Sequence, residues 1–194
     1  PHISAYHLTL EPNTLFHAHP PALPSDDTTA SMQADIEAQL MAAGYGHYET
    51  SAFAKKHHAC LHNLNYWHFG DYLGIGAGAH SKLTGRDKVT RFACYKQPKT
   101  FMQKATAGQA IETQHEIAVS ELGFEFMMNA LRLNAGFPTA LFQARTGLPL
   151  IAVEAPLRDA EARGLITRDL THIRPTALGQ RFLNDLLQLF LAPA

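Results

Sequence analysis

Cysteine is nearly absent from this sequence. Cys60 and Cys94 are the only two in 194 residues, too few for a disulfide framework or an all-thiolate metal site, and their scarcity suits a reducing cytoplasm. A dominant charge is missing too: 16 Lys+Arg stand against 17 Asp+Glu, so no net field draws the chain to nucleic acid or to an acidic membrane. The longest apolar run, Leu186 to Ala192, is broken by Gln188 and falls well short of the roughly 20 residues that span a bilayer. The chain opens at Pro1, without Met or signal-peptide or transit composition, directly in a strand-like pattern, and is expected to be a fragment. What is present is 46% hydrophobic content, enough for one large domain or two small ones with buried cores.

Residues 3–10 place Ile3, Ala5, Leu8 and Leu10 among polar neighbours and end at Glu11-Pro12-Asn13, a strand followed by a turn. Pro20-Pro21-Ala22-Leu23-Pro24 excludes helix and central strand, because proline removes donors and restricts its predecessor. Ser25 and Asp26 can cap a helix with Met32, Ile36 and Leu40 on its core face and Gly44 just past its end. From Tyr45 to Tyr95 the pattern is short, aromatic and punctuated by glycine, which predicts strands and irregular loops, with residues 84–88 as a hairpin tip. A short helix over 98–107 then leads to a change of composition at Gly108. Two domains are expected, 1–108 and 109–194.

In the second, Ile117, Phe124, Met127, Met128 and Leu131 form one helical face. A second helix is bounded by Pro138 and Gly147, and a third runs from Pro156 to Arg163 with Gly164 after it. Residues 165–167 and 172–174 flank a tip as a two-stranded ribbon, and a last helix turns Leu178, Phe182, Leu186 and Leu189 inward. Three helices, a ribbon and a helix make a winged-helix order, so the fold class is α+β.

The strongest local signal is His62-Asn63-Leu64-Asn65-Tyr66-Trp67, followed by Phe69-Gly70-Asp71-Tyr72. A histidine beside stackable aromatics could ligate haem iron while Tyr66 and Trp67 cover the macrocycle. The same residues could equally be a loop whose aromatics fill core and whose His62 and Asn63 satisfy backbone groups. His57, His58, Cys60 and His62 cluster, but tetrahedral sites draw paired ligands from two separated segments, so no dedicated metal site is assigned. Gly74-Ile75-Gly76-Ala77-Gly78-Ala79-His80 superficially matches a dinucleotide fingerprint. A hairpin follows it where the fingerprint requires a helix, which leaves close backbone approach to a ligand or tight strand packing. Glu49 is a lone carboxylate without a visible partner and receives no catalytic role. From His115 onward there are seven Arg and no Lys against eight Asp+Glu; phosphate binding needs a basic face, so nucleic acid is only a minor alternative partner of the winged helix.

These segments, in this order, resemble the C-terminal half of HemW-like haem chaperones, relatives of the oxygen-independent coproporphyrinogen oxidase among radical S-adenosylmethionine proteins. The matching pieces are His2–Pro12 with residues 13–16, Gly44–Ala54, His62–Trp67, Phe69–Ser81, Glu125–Asn129 and Leu131–Leu133. The combination His-Asn-x-x-Tyr-Trp and Gly-Asp-Tyr-x-Gly-x-Gly-x-Gly-Ala-His carries it. The resemblance implies that residues 1–108 contain the final strand or strands of a partial β/α barrel plus the glycine- and aromatic-rich segment, and that 109–194 form a winged-helix-like domain. It implies haem contact at His62, Asn63, Tyr66 and Trp67, and S-adenosylmethionine contact at Thr9, Gly76, Gly78 and His80. The [4Fe–4S] cluster and S-adenosylmethionine would belong to the full-length protein, since two cysteines cannot replace a thiolate triplet. The implied partners are haem or porphyrin and haem-accepting proteins. An oxidase acting on porphyrinogen propionates is the alternative activity, and homodimerisation through residues 2–10 is expected from an unpaired strand edge.

Overall fold

The computed structural model describes residues 1–191 and is α+β; the last three residues of the expected 109–194 domain lie outside the described residues. Two compact units divide between Cys60 and Leu61.

The first unit comprises β1 (His2–Ser4), α1 (Leu15–Ala18), α2 (Asp26–Ala42), β2 (Gly46–Glu49) and β3 (Ala52–Ala54). Its three strands are antiparallel with β3 in the middle. β1 is shorter than the expected 3–10 strand because its partner runs out: Ser4 lies opposite Ala52, and Ala5 N–H makes one last bond, 2.9 Å, to Ser51 O at the β2–β3 turn. α2 begins where the sequence predicts, with Ser25 Oγ accepting from Thr28 N–H, and Gly44 follows it at φ +79°. Its apolar face is only partly used, for Ile36 and Leu40 are half-buried while Met32 is exposed.

The second unit opens with α3 (Leu61–Trp67), a helix where strands and irregular loops are expected from the sequence. β4 (His80–Thr84) and β5 (Val89–Cys94) form the predicted hairpin, α4 (Pro98–Thr106) follows, and β6 (Ile111–Glu116) returns to pair with β5. The expected boundary near Gly108 therefore falls inside this sheet, with Thr90 opposite Glu116 and Phe92 opposite Gln114.

Beyond it lie α5 (Val119–Ala130), β7 (Phe137–Pro138), α6 (Thr139–Thr146), a 3-10 turn over Leu150–Val153, α7 (Glu154–Ala162), β8 (Ile166–Arg168), β9 (His172–Pro175), α8 (Ala177–Arg181) and α9 (Leu183–Gln188). β7-β9-β8 complete the winged-helix arrangement. α7 begins two residues before Pro156, which sits in the first turn where no intrahelical donor is needed. Phe126 centres the core, its ring meeting Phe137 at 5.0 Å, Phe142 at 5.2 Å and Phe69 at 5.8 Å, all edge to face. Gly136, at φ +69°, lets the chain pass so close to β9 that a Cβ would lie 1.9 Å from Ile173 O. The last helix is not continuous. It breaks at Phe182 (φ −111°, ψ 45°), so Leu186 is buried and Leu189 packs on the core while Leu178 and Phe182, expected inward, are exposed.

Candidate functional site

α3 places His62 and Tyr66 one turn apart on one face, and their rings meet edge to face with centroids 4.8 Å apart. His62 is exposed. Tyr66 is backed by Tyr72, ring centroids 4.4 Å apart. Trp67 points elsewhere: the Arg132 guanidinium lies 4.7 Å over its ring, and its Nε1 is buried without a hydrogen-bond partner. Asn63 is half-buried. Of the four residues singled out for haem, His62 and Tyr66 thus share an accessible face and Trp67 is turned to the residues that follow α5.

The turn leaving α3 is built by Asn65, which the sequence reading passed over. Asn65 O accepts from Gly70 N–H at 2.7 Å and its Nδ2 donates to Asp71 O at 2.8 Å. Any Cβ at Gly70 would lie 2.1 Å from Asn65 Oδ1, which explains glycine there. Phe69, at φ +53°, is driven into the core. Over its ring, 4.0 Å from the centroid, sits the Lys82 ammonium.

Lys82 is buried to 2% exposure and bonded at 3.0 Å to Asp71 Oδ1. Burial pushes the Lys82 ammonium below its ordinary value, against the pull of Asp71. For Asp71, partial burial would raise the carboxyl, but the Thr84 N–H and hydroxyl and Lys82 outweigh it and hold the group below the usual carboxylate range. His68 is lowered by burial and, less, by Arg145. Asp71 thereby ties the segment after α3 to the end of β4. Next along the chain, Tyr72 exchanges backbone hydrogen bonds with Lys82 at 3.0 and 3.1 Å.

The glycine segment spans 73–79 and runs directly into β4, so no helix N-terminus is available to a phosphate. Gly74 N–H donates to Ser81 Oγ, and a Cβ on Gly74 would meet His80 O at 2.1 Å; here glycine serves tight packing. Gly76 (φ +114°) and Gly78 (φ +70°) have left-handed backbones. Ile75 is 94% exposed and Leu73 72%. His80 is exposed at the start of β4. Thr9 is an exposed residue of the first unit, after β1.

Two further expectations meet the structure. Glu49, for which solvation or hydrogen bonding is the ordinary state, is 1% exposed, with Oε1 accepting weakly from Ser51 Oγ at 3.4 Å and Oε2 without a partner. Among the described residues no group of three His, Cys, Asp or Glu side chains is placed to hold a metal ion, and Cys60 and Cys94 lie in different units; this donor set does not fit a [4Fe–4S] cluster. The ribbon's Arg168 is claimed by Glu154, through two bonds of 2.8 and 2.9 Å, and by Glu161 at 2.8 Å. Among the described residues no helix is long and apolar enough to cross a membrane.

Residues 118–182 match the HemN C-terminal domain family. The whole chain is 45% identical over 193 residues to the Heme chaperone HemW of Escherichia coli, covering 99% of this chain and 50% of that protein. It is 43% identical to the protein of that name from Haemophilus influenzae (98% and 49%) and 31% identical to that of Bacillus subtilis (98% and 51%). The chain spans about half the length of the curated relatives it matches. Among solved structures, the coproporphyrinogen III oxidase (HemN) from Escherichia coli, described as a radical SAM enzyme, superposes with a TM-score of 0.63 at 18% identity, over 87% of this chain and 42% of that one; that likeness is one of fold.

Proposed function

We propose that this chain, which belongs to the HemW-like haem-chaperone branch of the oxygen-independent coproporphyrinogen oxidase-like family, binds haem at His62 and that the protein of which it forms part passes haem to acceptor proteins. The observation that carries this reading is the exposed imidazole of His62 against the edge of Tyr66, with no hydrogen bond to either nitrogen among the described residues. An imidazole so placed has a ring nitrogen accessible to ferric or ferrous iron, while the Tyr66 edge packs against its plane. Tyr66 also offers apolar edge area to a macrocycle. Asn63, half-buried on the same helix, is the neighbouring haem contact that the resemblance implies, and Trp67, with the Arg132 guanidinium over its ring, braces the helix.

Titration of the chain with hemin tests this. A Soret band typical of histidine ligation is expected, and His62→Ala is expected to weaken binding by at least about tenfold, the scale on which loss of metal-site groups acts. An unchanged band in the variant removes His62 as the ligand.

The oxidase reading keeps one supporting observation, the fold shared with the coproporphyrinogen oxidase. Under it, the backbone at Thr9, Gly76, Gly78 and His80 would contact S-adenosylmethionine, with Gly76 open to a ligand because no atom lies within 4 Å of a Cβ built on it. The cluster that cleaves S-adenosylmethionine would need thiolates that this chain does not supply. Turnover of coproporphyrinogen by the whole protein with its cluster reconstituted would favour the oxidase; its absence alongside haem transfer favours the chaperone. A cytoplasmic setting suits both. The edge strand β1, only three residues long, is where homodimerisation would occur, and light scattering at high concentration reads it. Nucleic-acid binding would show as steeply salt-dependent association, which the engaged Arg168 argues against.

A further inference from the structure

A ligating imidazole is only as well aimed as the groups behind it, since residues outside the first contact layer orient metal ligands and tune their affinity. Behind His62 the structure holds a continuous chain of contacts that crosses three elements. His62 meets Tyr66, and Tyr66 meets Tyr72. Tyr72 is clamped twice: its backbone exchanges both hydrogen bonds with Lys82, and its phenolic oxygen accepts from Arg91 Nη1 at 3.3 Å. Arg91 in turn donates through Nη2 to Glu125 of α5, and Glu125 is itself fixed in the helix, its carbonyl accepting from Asn129 Nδ2 at 2.8 Å.

The partners are sorted in a way that makes this chain specific. Lys82 and Arg91 lie directly opposite each other on β4 and β5, and like charges in that relation repel. Each therefore takes its own carboxylate, Lys82 turning to Asp71 and Arg91 to Glu125. Arg91 thereby gives Nη2 to Glu125 and keeps Nη1 for Tyr72.

We propose that Tyr72 is the positioning residue of the His62 site, held by Arg91 and Glu125, so that α5 of the winged-helix domain sets the orientation of the haem-facing imidazole. The inference rests on the haem reading above. Tyr72 does not touch the iron; it limits the rotation of Tyr66, and through it that of His62.

Hemin titration of the whole chain, read by affinity and by the position and width of the Soret band, tests it with His62→Ala as reference. Tyr72→Leu removes the ring and is expected to weaken binding about three- to tenfold, the range of one aromatic pair, and to broaden the band as the imidazole samples several orientations. Tyr72→Phe, which keeps the ring and loses the Arg91 bond, should fall between Tyr72→Leu and the unaltered chain. Glu125→Gln, which loosens Arg91 without touching the aromatic stack, should broaden the band in the same sense. If Tyr72→Leu does not fold by circular dichroism, Glu125→Gln decides alone. Unaltered affinity and band shape in the folded variants, with the band lost in His62→Ala, overturns the positioning role and leaves the haem reading standing. A band retained unchanged in His62→Ala removes His62 as the ligand, and with it the site that Tyr72 would position.

Discussion

Residues 1–60 and the unit that begins at Leu61 distribute their apolar side chains in opposite ways. In the first, the only buried hydrophobic residues among those described are Ala52, Phe53 and Ala54, consecutive on β3, and the 17-residue helix α2 buries none. In the second, Phe126 sits among Phe69, Phe137, Phe142, Leu131, Leu157 and Ile173, all essentially without exposure. Helical stability in water comes mainly from packing an apolar face. α5 has such a face buried; α2 keeps much of its own uncovered. The difference teaches where rigidity is available: a ligand site that needs fixed geometry is better supported on the second unit, and α3 belongs to it.

The sharpest way to break this comparison is in the cores. Phe126→Ala is expected to cost about 3–5 kcal/mol in urea unfolding of the second unit, whereas Phe53→Ala should melt residues 1–60 and leave the main transition in place. A single transition shifted equally by both variants would erase the distinction. Glycine makes the next test. Gly136→Ala meets Ile173 O and a positive φ together, for an expected loss above about 2 kcal/mol. Gly44→Ala has the same backbone sign but open space around it, so only the conformational cost of about 1–2 kcal/mol remains.

A smaller effect sharpens the polar side of the second unit. Asp71→Asn leaves the buried Lys82 ammonium uncompensated and should cost about 1–3 kcal/mol, while Lys82→Met keeps the stem over Phe69 and should stay within about 1 kcal/mol of the parent. The pH dependence has a defined sign. Because Asp71 is held below 3.8 in the folded state, its stabilisation is present above that value and disappears as pH falls through the folded value; acid titration of the parent and Asp71→Asn should diverge there. Lys82, lowered from 10.5, works in the other window, and the folded state should gain as pH rises toward 10.5. The smallest effect is at the wing tip. The Thr171 hydroxyl and N–H and the His172 N–H hold Asp169 at about 2, so protection of the tip amides should persist to that pH and vanish below it, and Asp169→Ala should abolish it at neutral pH.

Much of the winged helix is legible in order and spacing, because its helices carry wide apolar faces and end at Gly147 and Gly164, both left-handed. α3 is not legible. Two asparagines and two aromatics in seven residues have poor helix propensity, and Cys60 before the start is not one of the usual capping residue types; the helix is held by Asn65 at its exit and by Arg132 on Trp67. β6 escapes for the opposite reason: every residue from Ile111 to Glu116 is exposed, so no alternation marks it, and only its pairing with β5 makes it a strand. The face of His62 and Tyr66 could be guessed from their spacing once a helix is granted. Trp67 could not be separated from them.

By itself the sequence determined the α+β class, the winged-helix order and the hairpin at 84–88, and its motifs over residues 62–81 carried the resemblance to HemW-like proteins. These follow from local chemistry: periodicity, turn residues, caps and motif order are properties of neighbours along the chain. The tertiary structure alone decided that His62 is exposed while Trp67 lies under the Arg132 guanidinium, that the buried Lys82 ammonium pairs with the more exposed Asp71, and that Tyr72, Arg91 and Glu125 stand in line behind Tyr66. Each of those pairings joins residues brought together by sheet register or helix packing, and the residue types are compatible with many registers. Only the packed chain selects one.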